Sequence, residues 1–187
     1  MAVFEDRYLV WRLKRGNAHA LCRIYNQYES DLLTLAGGLL GRTGDAPDVL
    51  QDVFVKFLES LDTFELTGSL KGYLATCVAN RARDYLRKDR GRKTEDRGRC
   101  LENFHPAYGL APSPVEAAIV AEQRQQLRAA LAELPYEQRE VVLLHLQGGL
   151  KFREIANAQG IAAKTVESRY RYGIEKLRSM LNDQVES

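Results

Sequence analysis

Near the C-terminus, one face of a predicted helix carries side chains that proteins use to read double-stranded DNA. A turn at Gly160-Ile161 separates a short helix from a longer one that begins near Lys164, and this layout predicts a helix-turn-helix. The polar face of the longer helix lies opposite Val166 and Leu177 and comprises Lys164, Thr165, Ser168, Arg169, Arg171 and Tyr172. Arginine can bind guanine edges, and lysine contacts phosphate. The pattern favours DNA binding over the alternative, an ordinary helical hairpin with a solvated face.

A second polar stripe lies along one side of a helix that is predicted from about residue 69 to residue 90. This side is opposite Leu70 and Leu74. Its members recur at spacings of three and four, which places them on one helical face: Tyr73, Thr76, Asn80, Arg83 and Arg87. An aromatic ring, small polar groups and cations together suit single-stranded DNA. The preceding turn, residues 63–68, could form the mouth of a pocket for one base. Taken alone, a mixed polar stripe is more often plain surface.

A third helix, predicted over residues 48–61, is apolar on one side and acidic on the other. The acidic side carries Asp48, Gln51, Asp52, Val55 and Glu59. We expect Asp48 and Asp52 both to face solvent. Like charges four residues apart destabilise an isolated helix by about 0.2–0.5 kcal/mol, and a cationic partner docked there would relieve the repulsion. A solvated acidic face with an incidental valine is the alternative.

The elements that must position these faces are all predicted to be helical. Apolar residues recur at helical spacing almost throughout, and β-branched alternating runs are missing. The predicted helices are 4–15, 17–40, 46–61, 69–90, 115–133, 136–147, 151–158 and 163–181. Between Gly91 and Pro114 the glycines and prolines end both flanking helices. The fold class is therefore all-α, with two small helical domains, 1–92 and 115–187, joined by a flexible linker, 93–114.

Charge is distributed unevenly along a chain that is nearly neutral overall. The 187 residues carry a formal net charge of +2, too small for non-specific coating of nucleic acid. Residues 42–70 hold six acids and two bases, giving −4, whereas residues 81–99 hold nine bases and four acids, giving +5. One acidic and one basic surface in the first domain indicate two different partners.

Several classes of protein and site are disfavoured by what the sequence holds. Cys22, Cys77 and Cys100 are far apart and show no metal-ligand spacing, so neither a disulfide scaffold nor a metal site is expected. No Walker-type loop or paired nucleophile and base is visible, so we expect neither an enzyme nor a cofactor. No apolar run approaches the roughly 18 residues that span a bilayer, and charged residues follow the N-terminus. We therefore expect a cytoplasmic protein without membrane insertion.

Read together, these segments resemble the bacterial RNA polymerase sigma factors of the extracytoplasmic-function (ECF) group, over almost the whole chain. The stretch Asp45–Phe54 resembles that family's signature for binding core polymerase, and Ser69–Leu74 with Asn80–Arg87 resembles its promoter-melting helix. The second half is similar to the family's second domain at Leu134-Pro135, Gln138-Arg139, Glu154–Ala156, Gly160-Ile161 and Thr165–Arg169. The order and spacing of the pieces are more specific than any one of them.

The resemblance implies a role for each domain. The first, sigma region 2, would bind the clamp of the polymerase β′ subunit through Asp48, Gln51, Asp52 and Val55. It would also melt the −10 element of promoter DNA, through Phe64, Thr67, Ser69, Tyr73, Thr76, Asn80, Arg83 and Arg87. The second, region 4, would recognise the −35 element through Lys164, Thr165, Ser168, Arg169, Arg171 and Tyr172. An anti-sigma factor is a further partner that the family implies.

Some positions depart from the family pattern, and other functions stay open. Tyr73 stands where tryptophan is usual, and Arg81 occupies a usually apolar position near the core side of its helix. Arg81 must therefore extend to solvent or find a partner, unless the helical projection that places it near the core is in error.

The alternative function is a two-domain helix-turn-helix regulator that acts without joining polymerase. A purely protein-binding scaffold fits the polar recognition helix less well.

Overall fold

The computed structural model describes residues 2–41, 44–91 and 114–183, and over these ranges the chain forms helices and no strand. The helices are α1 (Ala2–Lys14), α2 (Ala18–Leu40), α3 (Ala46–Glu59), α4 (Leu70–Gly91), α5 (Pro114–Ala132), α6 (Tyr136–Leu146), α7 (Phe152–Gln159) and α8 (Ala163–Asp183). This confirms the all-α prediction, and each predicted boundary lies within two residues of the observed one. Most of the predicted linker falls in residues 92–113, which lie outside the described residues.

Helices α1 to α4 form a bundle in which α2 packs against α1, α3 and α4, and the apolar side of α3 packs against α2 and α4. Five side chains of α3 are buried as the periodicity predicts: Val49, Leu50, Val53, Phe54 and Phe57. Pro47 lies in the first turn of α3, where its missing N–H removes no hydrogen bond. Burial on this side leaves the acidic side of α3 facing outward.

A buried carboxylate, Asp6, joins three helices of this bundle. Asp6 is 2% exposed and accepts a hydrogen bond of 2.5 Å from the Tyr28 hydroxyl on α2. Its other oxygen lies 3.4 Å from the backbone N–H of Leu70, at the start of α4. The helix dipole favours a carboxylate at the N-terminal end of a helix. Asp6 thus links the start of α4 to α1 and α2.

The second half, α6 to α8, contains the predicted helix-turn-helix. Gly160 follows α7 with φ +67°, a conformation that glycine adopts without strain. Val166 and Leu177 of α8 are buried, and so are Ile155 and Ala156 of α7. The apolar side of α8 therefore packs inward, and its predicted polar face lies on the opposite side.

The two halves pack against each other, with α6 lying on α2 and α4. Gly38 of α2 allows this approach, because a Cβ there would lie only 2.8 Å from Leu143 Cδ1 of α6. On α4, three small residues are buried in addition to the predicted core: Ala75, Ala79 and Ala82. The helical projection that places Leu70 and Leu74 in the core also predicts Cys77 and Tyr85 there, but both are only half-buried. The buried side of α4 is broader than predicted because both halves cover it.

We predict that Asp6→Ala lowers the free energy of unfolding by about 1–3 kcal/mol, because it leaves the Tyr28 hydroxyl and the Leu70 N–H without their partner. Urea denaturation measures this change. Glu5→Ala is the matched control. It removes only the exposed Glu5–Arg23 ion pair, whose loss should change stability by less than about 1 kcal/mol. Equal losses from the two variants would contradict the role given to Asp6.

Candidate polymerase and nucleic-acid interfaces

The acidic face of α3 is only partly free. Asp48, Gln51 and Val55 are exposed, Val55 at 47%. Asp52 is half-buried and accepts hydrogen bonds from Nε and Nη2 of Arg81, the first at 2.7 Å. The Asp52 side chain is still 45% exposed, but it is paired within the chain, which the sequence analysis did not predict. The unusual Arg81 finds its partner on α3.

A leucine that the sequence analysis missed widens this face. Leu58 is 37% exposed and stands three residues after Val55, one turn further along the same helix. The spacing was available as a signal, but an apolar residue in a mostly apolar helix gave no reason to place it outside the core. Charged Asp48, polar Gln51 and apolar Val55 and Leu58 form a mixed surface, which we call the α3 face. Such a surface suits a protein partner.

The predicted strand-binding residues around the loop before α4 do surround a pocket. A cavity of about 230 Å³ is lined by the loop residues 64–69 together with Gly72, Tyr73 and Thr76. We call it the strand pocket. It brings together five of the predicted −10 contacts: Phe64, Thr67, Ser69, Tyr73 and Thr76. Its remaining walls come from the second half, through Gly149, Leu150 and Glu154.

The walls of the strand pocket are held by local contacts. The rings of Phe64 and Tyr73 are 4.6 Å apart, and both lie against Phe57 of α3. Partial burial raises the pKa of the Tyr73 hydroxyl. The Ser69 hydroxyl accepts from the N–H of Gly72 at 3.3 Å and so caps α4. Tyr73 is therefore a half-buried wall of the pocket and not a freely exposed ring.

The remaining −10 candidates lie further along α4, outside the strand pocket. Asn80 is exposed and accepts a long hydrogen bond of 3.4 Å from Arg83. Arg83 also forms an ion pair of 2.6 Å with Glu140 of α6, and Arg87 pairs with Asp84 on its own helix. The two cations of the stripe are thus occupied by carboxylates in this arrangement.

Glu140 is a buried acid that the sequence analysis missed. Only 3% of the residue is exposed. Desolvation raises the pKa of its carboxyl, and the neighbouring Arg83 and Arg169 oppose that effect. Its second oxygen accepts a hydrogen bond of 3.0 Å from Gln159 of α7. No periodicity marks a glutamate for burial, because such burial requires a cation from another helix.

The predicted recognition face of α8 divides into an open part and a sheltered part. Lys164, Thr165, Arg171 and Tyr172 are exposed, while Ser168 and Arg169 are half-buried. The Ser168 hydroxyl donates to the carbonyl of Thr165 at 3.0 Å. Arg169 lines a cavity of about 440 Å³ between the halves, which Arg83 and Arg87 of α4 also line. Arginines from both predicted DNA surfaces therefore converge around Glu140.

The described part of the chain offers neither a cluster of metal ligands nor a membrane-spanning helix. No group of three or more histidine, cysteine, aspartate or glutamate residues there could hold a metal ion. None of the helices there is long and apolar enough to cross a membrane.

Known proteins match this chain along both halves. The family described as Sigma-70 region 2 matches residues 24–92, and Sigma-70, region 4 matches residues 124–177. The ECF RNA polymerase sigma factor SigW of Bacillus subtilis is 25% identical over 178 residues, which are 92% of this chain and 94% of that protein. The ECF RNA polymerase sigma-E factor of Escherichia coli strain K12 is 27% identical over 168 residues, 88% of this chain and 87% of that protein.

Two solved structures share the fold. The sigma factor RpoE of Bartonella quintana, in a complex with the anti-sigma factor NepR, is 27% identical with a TM-score of 0.65 and covers 87% of this chain and 96% of its own. CnrH, in a complex with the cytosolic domain of CnrY, is 23% identical with a TM-score of 0.66 and covers 96% of this chain and 98% of its own. Two sigma-70 regions in order, with relatives covering nearly the whole chain, establish that it belongs to the ECF group of RNA polymerase sigma factors, which join polymerase and direct it to promoters.

Proposed function

We propose that the chain divides its work among the three surfaces described above. The α3 face binds the clamp of the polymerase β′ subunit. The strand pocket with Asn80, Arg83 and Arg87 takes up the unpaired −10 strand, and the polar face of α8 recognises −35 duplex DNA. The domains are residues 1–92 and 115–187, joined by 93–114. The chain acts in the cytoplasm, where polymerase and promoter DNA meet.

The strand pocket is the observation that carries this proposal. It lies in the half that matches region 2, and five residues chosen from the sequence line one cavity of about 230 Å³. Contacts inside such a pocket can offset the few kcal/mol that it costs to take a base out of the duplex. The loop and α4 form most of the wall of this cavity, and three residues of the second half form the rest, an arrangement that an ordinary solvated stripe does not require.

Run-off transcription tests the proposal as a whole. Purified chain would be added to core polymerase from the source bacterium, on fragments that include the promoter of the chain's own gene. Promoter-specific transcripts are expected only when the chain is present. Co-purification with core separates this function from the alternative of a helix-turn-helix regulator, which would bind duplex DNA without joining polymerase.

An anti-sigma factor is the further partner we propose. The solved structure of the Bartonella quintana sigma factor is a complex with an anti-sigma factor. An inhibitory protein that binds this chain would have to compete for surfaces that polymerase or promoter DNA needs. The α3 face, with the exposed carboxylate of Asp48 and two exposed apolar side chains, is such a surface.

We predict that Asp48→Lys weakens binding to core polymerase by about 2 kcal/mol, roughly 30-fold, because it reverses an exposed carboxylate of the α3 face. A competition titration with labelled chain measures the change. Asp62→Lys, an exposed aspartate beyond the end of α3, is the matched control and should bind normally. Asp52 is unsuited to this test, since changing it would leave the partly buried Arg81 unpaired.

We predict different losses from two cations of α8, measured as duplex −35 binding by the assembled holoenzyme. Arg169→Ala should cost about 1–3 kcal/mol and reduce discrimination at one or two base pairs. Lys164→Ala should weaken binding to all sequences alike and lower the salt slope by about one unit. Sequence-independent losses from both variants would show that this face binds phosphate without reading bases.

We predict that Thr76→Ala with Asn80→Ala leaves core binding and −35 recognition intact but strongly reduces open-complex formation. The Thr76 hydroxyl donates to the Gly72 carbonyl and Asn80 accepts from Arg83, both within α4, so among the described residues neither removal breaks a recorded hydrogen bond between helices. Permanganate footprinting of unpaired thymines measures melting. A template with a premelted bubble should restore part of the activity, because the cost of unpairing is then already met.

Asn26→Ala, which removes an exposed amide from α2, is the control for that pair. It should melt promoters normally on both templates. Normal melting by the Thr76 and Asn80 double variant would assign strand capture to the loop residues 64–69 alone.

A further inference from the structure

We propose that α1 binds the surface of an anionic lipid bilayer through its outward side. The outward side carries Phe4, Tyr8 and Trp11, which we call the α1 ridge. The binding is adsorption at the headgroup layer, where a helix lies on the membrane without spanning it. No residue of the α1 ridge belongs to the three surfaces that we assign to polymerase and promoter DNA.

Helix α1 is apolar on two opposite sides. One side, with Leu9, Val10 and Leu13, is buried in the bundle, where α1 packs on α2. The α1 ridge lies opposite, and its positions 4, 8 and 11 form one row because they recur at spacings of four and three. Its side chains are 82%, 52% and 49% exposed in chain order. A contiguous apolar row of this kind on the surface of a domain marks an interaction site.

Cations surround the α1 ridge. On a helical projection Arg12 lies along one flank, Arg7 and Lys14 lie along the other, and Arg15 extends the row by one turn. Arg7, Lys14 and Arg15 are exposed, and Arg12 is half-buried. Aromatic side chains flanked by lysine and arginine are typical of helices that lie at a membrane interface.

The acids of α1 do not cancel this positive charge. Asp6 is 2% exposed, and its carboxylate accepts its hydrogen bonds inside the bundle. Glu5 pairs with Arg23 of α2 at 2.7 Å, and together they carry no net charge. The outward side of α1 is therefore basic, and basic residues near an anionic leaflet are attracted to it.

The two largest rings of the ridge already have contacts on their faces. Tyr8 and Trp11 are stacked, with their centroids 6.0 Å apart. The guanidinium carbon of Arg15 lies 4.0 Å from the centre of the Trp11 ring, and that of Arg12 lies 5.7 Å from the centre of the Tyr8 ring. Single-stranded DNA needs open ring faces on which its bases stack. A lipid interface takes up the apolar body of a ring in any orientation, so these contacts favour lipid over DNA.

The α1 ridge is small for a protein interface. Its exposed aromatic area is about 300–450 Å², since such side chains cover about 150–250 Å² each when buried and these three are about half to four-fifths exposed. A stable protein interface takes about 800 Å² from each partner. Adsorption to lipid needs less area, because charge attraction adds to the burial of a few apolar side chains.

Fluorescence of Trp11 tests the proposal, because Trp11 is the only tryptophan of the chain. The full chain would be mixed with vesicles of phosphatidylglycerol and phosphatidylcholine in equal parts. The emission of Trp11 is expected to shift to the blue and to rise, and high salt should weaken the response. Vesicles of phosphatidylcholine alone should give a much smaller response. No blue shift with the anionic vesicles would overturn the proposal.

Other occupants of the ridge give different results in the same assay. Quenching of Trp11 by a single-stranded oligonucleotide, without a response to vesicles, would assign the ridge to DNA. A blue shift that depends on protein concentration alone would assign it to a second copy of the chain. Sedimentation of the chain with vesicles at unchanged Trp11 emission would show that another basic segment binds lipid. Each of these three results would overturn the proposal.

A substitution in the ridge tests its apolar part. Phe4→Ser should weaken binding to the anionic vesicles about ten-fold, because it removes one inserted aromatic side chain. Leu146→Ser is the control, at a leucine of α6 that is 60% exposed, and should bind as the parent chain does. Circular dichroism verifies that both variants fold. Equal binding by the two variants would show that the ridge does not enter the lipid.

A second pair of variants tests the flanking charge. Arg7→Gln should weaken vesicle binding about five-fold, the contribution of one basic residue near an anionic surface. Arg153→Gln removes an exposed arginine from α7 and should leave binding unchanged. Equal losses from the two variants would mean that the net charge of the chain, and not the side of α1, determines adsorption. All four variants retain Trp11, so its emission measures binding in each of them.

Discussion

Helix α4 is packed from two sides, and this double packing organises the molecule. Leu70, Leu74 and Val78 belong to the bundle of the first half, while Ala75 meets the turn after α6. Small residues are needed on that second side, because a larger side chain at position 75 would push against Gly148 and separate the halves. The helix that carries the proposed strand contacts is therefore also the helix against which the second half closes.

Ion pairs between helices also determine which charges of the chain are free to bind a partner. The repulsion expected between Asp48 and Asp52 is relieved inside the molecule, where Arg81 pairs with Asp52. This weakens one argument for an external cationic partner, since the fold already supplies the cation. The exposed Asp48, with apolar Val55 and Leu58 beside it, is the stronger indication of a protein surface. Internal pairing thus separates the part of each face that maintains the fold from the part that is free to bind.

The sequence was sufficient to predict the helices, because helical periodicity, Gly160 and the prolines are local signals. It also placed the loop residues 64–69 beside Tyr73 and Thr76, since these are neighbours along the chain. It could not predict the partners of Arg81 and Arg83, because Asp52 is 29 residues away and Glu140 is 57 residues away. Which residues of α4 are buried depended equally on α6, whose position no local pattern encodes.

The exposure of the proposed surfaces gives an order to the steps of initiation. Asp48, Gln51 and Val55 are exposed, so under the proposed roles polymerase can engage the α3 face without any rearrangement of the two halves. The second half lines one side of the strand pocket and pairs Glu140 with Arg83, which itself stays exposed. Arg87 pairs with Asp84 on its own helix. Under the proposed roles, capture of the −10 strand therefore follows assembly with polymerase, because the α3 face is available from the start, whereas the cations beside the strand pocket must first exchange a carboxylate for a phosphate.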